Sequence, residues 1–182
     1  MNEESRQNNI IVTKDLIKTY EDSGVPVKAV RGIDYKLKPG EFTAIIGPSG
    51  SGKTTFLNLI AGLDTPTSGE VWLSGTKISA MSGKELSAFR RDHIGFIFQA
   101  YNLLPVLTVE ENVEYIMLLQ RVPAGERHER VMDILEQVGL ADYADRFPLK
   151  LSGGQQQRVA VARAMVSEPS LVIADEPTAN LD

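Results

Sequence analysis

The sequence predicts an α/β fold, a mostly parallel sheet flanked by helices, and three observations predict it. Short apolar runs at residues 42–46, 94–98 and 171–174 have the length and composition of buried strands. Each run ends where polar chemistry begins: a Gly-rich turn after the first, Gln99 after the second, Asp175 and Glu176 after the third. Around this core lie alternating apolar and polar residues before position 38, and two helical patterns between the second and third runs. They predict an N-terminal antiparallel β subdomain and an inserted α-helical subdomain.

The Gly-rich turn is the most specific signal. Residues 47–55 read Gly-Pro-Ser-Gly-Ser-Gly-Lys-Thr-Thr. Gly47, Gly52, Lys53 and Thr54 fit the phosphate-loop pattern in its strand–loop–helix context, so the core is expected to be that of a P-loop NTPase. Gly47, Gly50 and Gly52 let the backbone take φ > 0 and turn N–H groups toward an anion. The helix that follows aims its free N–H groups and positive dipole end at the same point. Lys53 adds a full charge for the outer phosphates, and the Thr54 hydroxyl is a hard ligand suited to Mg²⁺. Pro48, Ser49, Ser51 and Thr55 complete the expected nucleotide-binding loop.

The whole chain sets the bounds. Its 182 residues suit one core with a smaller subdomain, and 42% hydrophobic with 24% charged residues is an ordinary globular composition. A net charge of −5 leaves no basic footprint, so no nucleic-acid partner is expected. No apolar run reaches 18 residues, and the polar N-terminus lacks the apolar core of a signal peptide. The absence of cysteine excludes disulfides and thiolate metal sites, which suits a cytosolic protein.

Taken in order, residues 10–12 and 16–20 are strand material, 21–26 a turn, and 27–37 a half-buried alternating strand. Residues 38–41 turn the chain into 42–46, the expected central strand feeding the phosphate loop, and 56–61 read as the helix beyond it. Tyr20 is either a strand aromatic filling a local core or a face for a nucleotide base. Residues 70–75 are a short strand in which Trp72 serves packing. Ser82 with Glu85 forms a capping box for a helix reaching about Arg91. Gln99 stands beyond its strand at the end where open α/β sheets bind ligands. After a loop at 101–105, Thr108 and Glu111 form a second capping box, and Val109, Val113, Ile116 and Met117 share one helix face. Pro123, Ala124 and Gly125 break that helix; Val131, Ile134, Leu135 and Val138 line the next, which ends at Gly139. Ser152 is a good N-cap for a helix over 156–167, and the two glycines after it cost about 1 kcal/mol each relative to alanine. That cost has a purpose if backbone N–H groups there must approach an anion closely. Asp175 and Glu176 can divide labour, one holding Mg²⁺ and the other orienting or deprotonating water. His93 and His128 are surface residues without metal-ligand company.

Along nearly all its length the chain resembles the ATP-binding cassette (ABC) ATPases. Residues 47–54 match their Walker A loop, Gln99 the Q-loop glutamine, and Leu151-Ser152-Gly153-Gly154-Gln155 the signature motif. Leu171 to Asp175 with Glu176 match Walker B and its catalytic glutamate; Asn180-Leu181-Asp182 looks like the D-loop; Tyr20 falls at the adenine-stacking aromatic. The resemblance implies ATP and Mg²⁺ as cofactors, Thr54, Gln99 and Asp175 about the metal, and Glu176 as the catalytic residue. It implies a second ABC ATPase subunit, most simply a second copy, whose Ser152, Gly153, Gly154, Gln155 and Asp182 contact ATP in trans. It also implies an integral membrane permease subunit, which would hold the protein on the inner, cytoplasmic face of the cell membrane. The wording of 101–105, 151–158 and 175–182 is similar to the lipoprotein-releasing, macrolide-export and cell-division group.

A single ABC ATPase domain over 1–182 is expected, with a β subdomain and Walker A core at about 10–98 and a helical subdomain at about 100–150. The signature helix, Walker B and D-loop fill about 151–182. It is expected to be C-terminally incomplete and poorly active, since the family's switch histidine and last core strands have no counterpart before Asp182. The expected function is ATP hydrolysis energising a separate exporter or lipoprotein-releasing membrane subunit; the alternative is a mechanical regulator of a cell-division or cell-wall complex. DNA-repair and chromosome ATPases carry long coiled-coil or zinc insertions that this cysteine-free chain lacks. A GTPase switch needs an Asn-Lys-x-Asp motif, which is missing.

Overall fold

A long antiparallel hairpin, β1 (Ile11–Asp22) with β2 (Val25–Leu37), organises the N-terminal part of the chain. The structure, a computed structural model, describes residues 8–22 and 24–179. These fall into two units that divide between Ala88 and Phe89. In the first unit β3 (Ser68–Leu73) pairs with the other edge of β1 and β4 (Thr76–Lys77) extends β3, giving the order β2-β1-β3-β4. The two strand segments expected before the turn are one continuous strand, with register shifts around residues 13–17. Ile11, Val12, Leu16, Val71 and Leu73 of the sheet are buried, as are Phe56, Leu59 and Ile60 of α1 (Lys53–Ile60). This antiparallel β region is the N-terminal subdomain expected from alternation.

One expectation fails. Residues 42–46 do not form a buried strand: no strand is assigned there, and Phe42 and Ile46 are 96% and 90% exposed. A run apolar on both faces takes strand geometry only from hydrogen-bonded neighbours on each side. Among the described residues no strand pairs with it.

A polar network ties the end of β1 to the turn after α1. Lys18 Nζ donates to Asp64 Oδ1 at 2.6 Å and to the Thr65 carbonyl at 2.7 Å. The Tyr20 hydroxyl donates to Asp64 Oδ2 at 2.7 Å, and the Thr65 N–H to Asp64 Oδ1 at 2.7 Å. Burial pushes the Asp64 carboxyl up, but the donors from Lys18, Tyr20 and Thr65 outweigh it and hold it below the usual carboxylate range.

The second unit is built on a parallel pair, β5 (Ile94–Ile97) with β6 (Leu171–Ala174), the two remaining core strands read from the sequence. The division between units falls within α2 (Gly83–His93), whose Ser82–Glu85 box forms as expected. Three helices make the unit's core: α3 (Val109–Leu119), α4 (Ala124–Gln137) and α5 (Gly153–Met165). Val109, Val113 and Met117 pack with Val131 and Leu135 and with Val159 and Ala162 of α5, all fully buried. The apolar faces of α3 and α4 thus fill a shared core with α5. Pro123 caps α4, so the break between helices lies at 120–123, and Ala124 and Gly125 are helical. With Ser152 as its N-cap, as expected, α5 begins at Gly153 and takes in both glycines. Among the described residues no helix is long and apolar enough to cross a membrane.

Two contacts fix β5 and the loop after it. Gly95 lies directly under α5: a Cβ there would stand 2.1 Å from the Ala164 carbonyl oxygen and 3.0 Å from Pro169 Cγ. Asn112, fully buried, accepts from the Leu104 N–H at 2.8 Å. Its Nδ2 lies at 2.8–3.0 Å from the Leu104, Leu107 and Thr108 carbonyls.

Two outcomes test this packing. Gly95→Ala is expected to destabilise by about 1–3 kcal/mol, because the helix backbone it meets cannot rotate away; urea denaturation checks it. Asp64 has a depressed folded pKa, so its stabilisation is present above the unfolded value near 3.9 and fades as pH falls through the lower folded one. Asp64→Asn is expected to lose about 1 kcal/mol at pH 7 and to narrow its gap to wild type on acidification below about pH 4. Denaturation midpoints at pH 7 and pH 3 measure that gap.

Candidate nucleotide site

In the first unit the phosphate loop has the shape the motif predicts. Gly52 is the N-cap of α1 with φ 93°, and a Cβ on it would lie 2.3 Å from the Ala29 carbonyl of β2. The close approach of two backbones, together with the left-handed φ, leaves glycine as the residue that fits. Gly50 is also left-handed, at φ 75°, with nothing within 4 Å of where its side chain would project. A Cβ at Gly47 would meet the Ser51 hydroxyl at 2.8 Å. The Ser51 N–H donates to the Pro48 carbonyl at 3.2 Å, and the Phe56 N–H to the Gly52 carbonyl at 2.8 Å, which closes the first turn of α1.

Lys53 Nζ turns back over the loop and donates to the Gly47 and Pro48 carbonyls, at 2.9 and 3.1 Å. An ammonium has three donors, so one remains for an anion while two hold the loop. The donors gathered here are Lys53, the α1 amides and the hydroxyls of Ser49, Ser51, Thr54 and Thr55, and residues 47–55 contain no carboxylate. That set fits phosphate oxygens and no cationic ligand.

Tyr20 is brought to the same loop. It is 39% exposed, the Lys18 ammonium lies 4.9 Å from its ring centroid, and its hydroxyl interacts with Thr55 as well as Asp64. Burial and the neighbouring Asp64 raise the Tyr20 pKa, so its ring stays neutral through ordinary pH.

In the second unit, the parallel register sets Ile97 opposite Ala174, and the Asp175 N–H donates to the Ile97 carbonyl at 3.0 Å. Gln99, Asp175 and Glu176 therefore sit at one end of the β5–β6 pair, the C-terminal end expected to bind ligands. Glu176 has φ 46°, left-handed for a residue with a side chain, and such strain costs about 1–3 kcal/mol. Among the described residues no group of three or more His, Cys, Asp or Glu is placed to hold a metal ion. Asp175 offers one carboxylate, as a Mg²⁺ site completed by phosphates and water requires.

At the head of α5, Ser152 and Gln155 form a capping box: the Gln155 N–H donates to Ser152 Oγ at 3.3 Å and the Ser152 N–H to Gln155 Oε1 at 2.9 Å. Ser152, Gly153 and Gly154 are exposed, so the helix presents bare backbone to solvent. Asp182, with Asn180 and Leu181, lies outside the described residues. His128 is exposed and paired with Glu110 at 2.7 Å, and His93 stacks on Phe89.

Sequence reasoning missed Arg163 of α5. Its Nη1 donates to the Asn102 carbonyl at 2.6 Å and its Nη2 to the Tyr101 carbonyl at 2.7 Å. Tyr101 and Asn102 are both left-handed, at φ 54° and 50°. Two charge-assisted bonds at about 1.5–3 kcal/mol each outweigh about 1–2 kcal/mol of strain at each residue. Burial lowers the Arg163 pKa, and a guanidinium stays charged all the same. The available signal was one charge between buried Ala162 and Ala164.

Comparison with known proteins agrees with this geometry. The family described as ABC transporter matches residues 30–179. An uncharacterised ABC transporter ATP-binding protein of Thermotoga maritima is 50% identical over 168 residues, 92% of this chain and 72% of that protein. The lipoprotein-releasing system ATP-binding protein LolD of Pseudomonas fluorescens is 47% identical over 95% of this chain and 76% of its own length. The macrolide export ATP-binding/permease protein MacB of Marinobacter nauticus is 44% identical over 95% of this chain and 27% of its own. A solved dimeric bacterial ABC transporter cassette superposes with a TM-score of 0.88 at 43% identity, covering 94% of this chain and 76% of that one. A dimeric post-hydrolysis cassette bound to ADP and Pi matches equally well. This chain belongs to the ABC transporter family, as one of its ATP-binding, ATP-hydrolysing cassettes.

Proposed function

We propose that this cassette drives a membrane permease of the exporter or lipoprotein-releasing type, from the inner face of the cell membrane, by pairing with a second copy around ATP. The observation that carries this reading is the loop at 47–55, a carboxylate-free cradle of donors with Lys53 folded over it. Support for the permease type comes from the relatives named for lipoprotein release and macrolide export.

Within the chain we assign phosphate binding to Lys53, to the amides and hydroxyls of residues 47–55, and to α1. Tyr20 offers its neutral ring to the base. Thr54, Gln99 and Asp175 are the residues we assign to Mg²⁺, which when bound would neutralise phosphate charge. Glu176 sits one residue beyond the Asp175 rung and orients or deprotonates the attacking water. The exposed head of α5 at Ser152, Gly153, Gly154 and Gln155, with Asp182, meets the ATP held by the partner copy. Residues of about 10–98 serve the nucleotide, those of about 100–150 the membrane partner, and those of about 151–182 the partner copy and hydrolysis.

Lys53→Ala is expected to weaken binding of a fluorescent ATP analogue at least tenfold; unchanged affinity, read by titration, would sink the loop assignment. Glu176→Gln is expected to keep that affinity but lower hydrolysis by about 100-fold or more. It should also accumulate an ATP-bound dimer on size-exclusion chromatography, and a monomer that persists with ATP contradicts the shared site. Co-purification of a permease with the tagged cassette identifies the membrane partner.

A further inference from the structure

We propose that Arg163 is the positioning residue for Gln99, which it places by holding the loop at Tyr101 and Asn102 against α5. The inference rests on the reading above, in which Gln99 serves the nucleotide's Mg²⁺.

Gln99 stands on a segment framed from both sides by consecutive residues of one helix. Before it, Gly95 lies against the Ala164 carbonyl with no room for a side chain. After it, the Arg163 fork takes the Tyr101 and Asn102 carbonyls at 2.7 and 2.6 Å. Tyr101 and Asn102 are left-handed in succession, a conformation a tyrosine does not hold by its own preference. Farther on, Asn112 pins Leu104 and Leu107, and at the near end Ile97 is bonded by Asp175. Gln99 thus lies between the Asp175 bond at Ile97 and the Arg163 fork at Tyr101 and Asn102.

The same helix begins at Ser152, eleven residues before Arg163, or about 16 Å along its axis. A tilt of α5 imposed at its capped head is carried as a rigid rod to the Arg163 fork. It reaches the Gln99 loop through that fork. Arg163 thus links the face offered to a partner's ATP with the residue serving the chain's own. A lysine cannot reproduce this, because one ammonium lacks the planar fork that spans two successive carbonyls.

The test compares wild type with Arg163→Met, which keeps length and apolar packing, and Arg163→Lys. Hydrogen–deuterium exchange of the nucleotide-free protein is expected to quicken about tenfold over residues 99–103 in the Met variant. Residues 109–119 and 153–165 should stay as protected as in wild type, and Lys should fall between. ATP affinity in EDTA is expected to stay within about twofold in both variants, while the gain on adding Mg²⁺ falls about 10-fold in Met and is partly restored in Lys. Unchanged loop exchange in Met overturns the clamp. Loss of protection throughout the second unit assigns Arg163 a merely structural role. A loosened loop with an undiminished Mg²⁺ gain overturns the link to Gln99. Wild type that binds no ATP under either condition refutes the parent reading, and the exchange data still decide the clamp.

Discussion

A side chain on Gly95 would overlap the backbone of α5, and the second unit depends on that space staying empty. Because strand and helix backbones touch, α5 lies close enough for Arg163 to reach the loop beyond β5. Its opposite face is left to close over Val109, Val113 and Met117. A thicker contact would lift the helix by roughly the width of a methyl group and take the guanidinium out of hydrogen-bond range. One missing carbon atom thus sets the spacing on which the parallel pair, the helical core and the Gln99 loop agree.

The two units use different physics. In the first, the phosphate loop is held by backbone geometry: a left-handed Gly52 against Ala29, and a lysine satisfying two loop carbonyls. In the second, the candidate catalytic residues are held by register. The Asp175 amide is bonded beyond the last β6 residue, and Glu176 follows in a strained turn. The first arrangement suits a rigid anion cradle. The second carries left-handed residues beside the candidate site at Tyr101, Asn102 and Glu176, and elsewhere at Arg121 and Glu168.

Much of this was legible in the sequence wherever the signal was local. The capping boxes at Ser82 and Thr108 and the N-cap at Ser152 formed, because a hydroxyl and a polar group three residues on satisfy each other without help from elsewhere. The strands at 94–97 and 171–174 and the core-facing sides of α3 and α4 followed from apolar pattern. What pattern could not supply was pairing. Residues 42–46 carry as strong a strand signature as either of those runs, yet composition says nothing about which neighbour completes a ladder. Arg163, Asn112 and Asp64 were illegible for a related reason. Arg163 acts on backbone carbonyls distant in sequence, Asp64 on side chains of β1, and Asn112 on the loop before its own helix; a lone polar residue within a helix or turn does not announce its partner.

The stretch at 42–46 bears on how this polypeptide behaves in a tube. Phe-Thr-Ala-Ile-Ile is β-prone, uncharged and free of proline, and its outermost apolar side chains face solvent. Such a segment is a template for intermolecular strand addition, the first step toward aggregation. Lys38, Pro39 and Glu41 flank it on one side only; beyond Ile46 the next charge is Lys53. A solubilising substitution in this stretch therefore belongs at exposed Phe42 or Ile46.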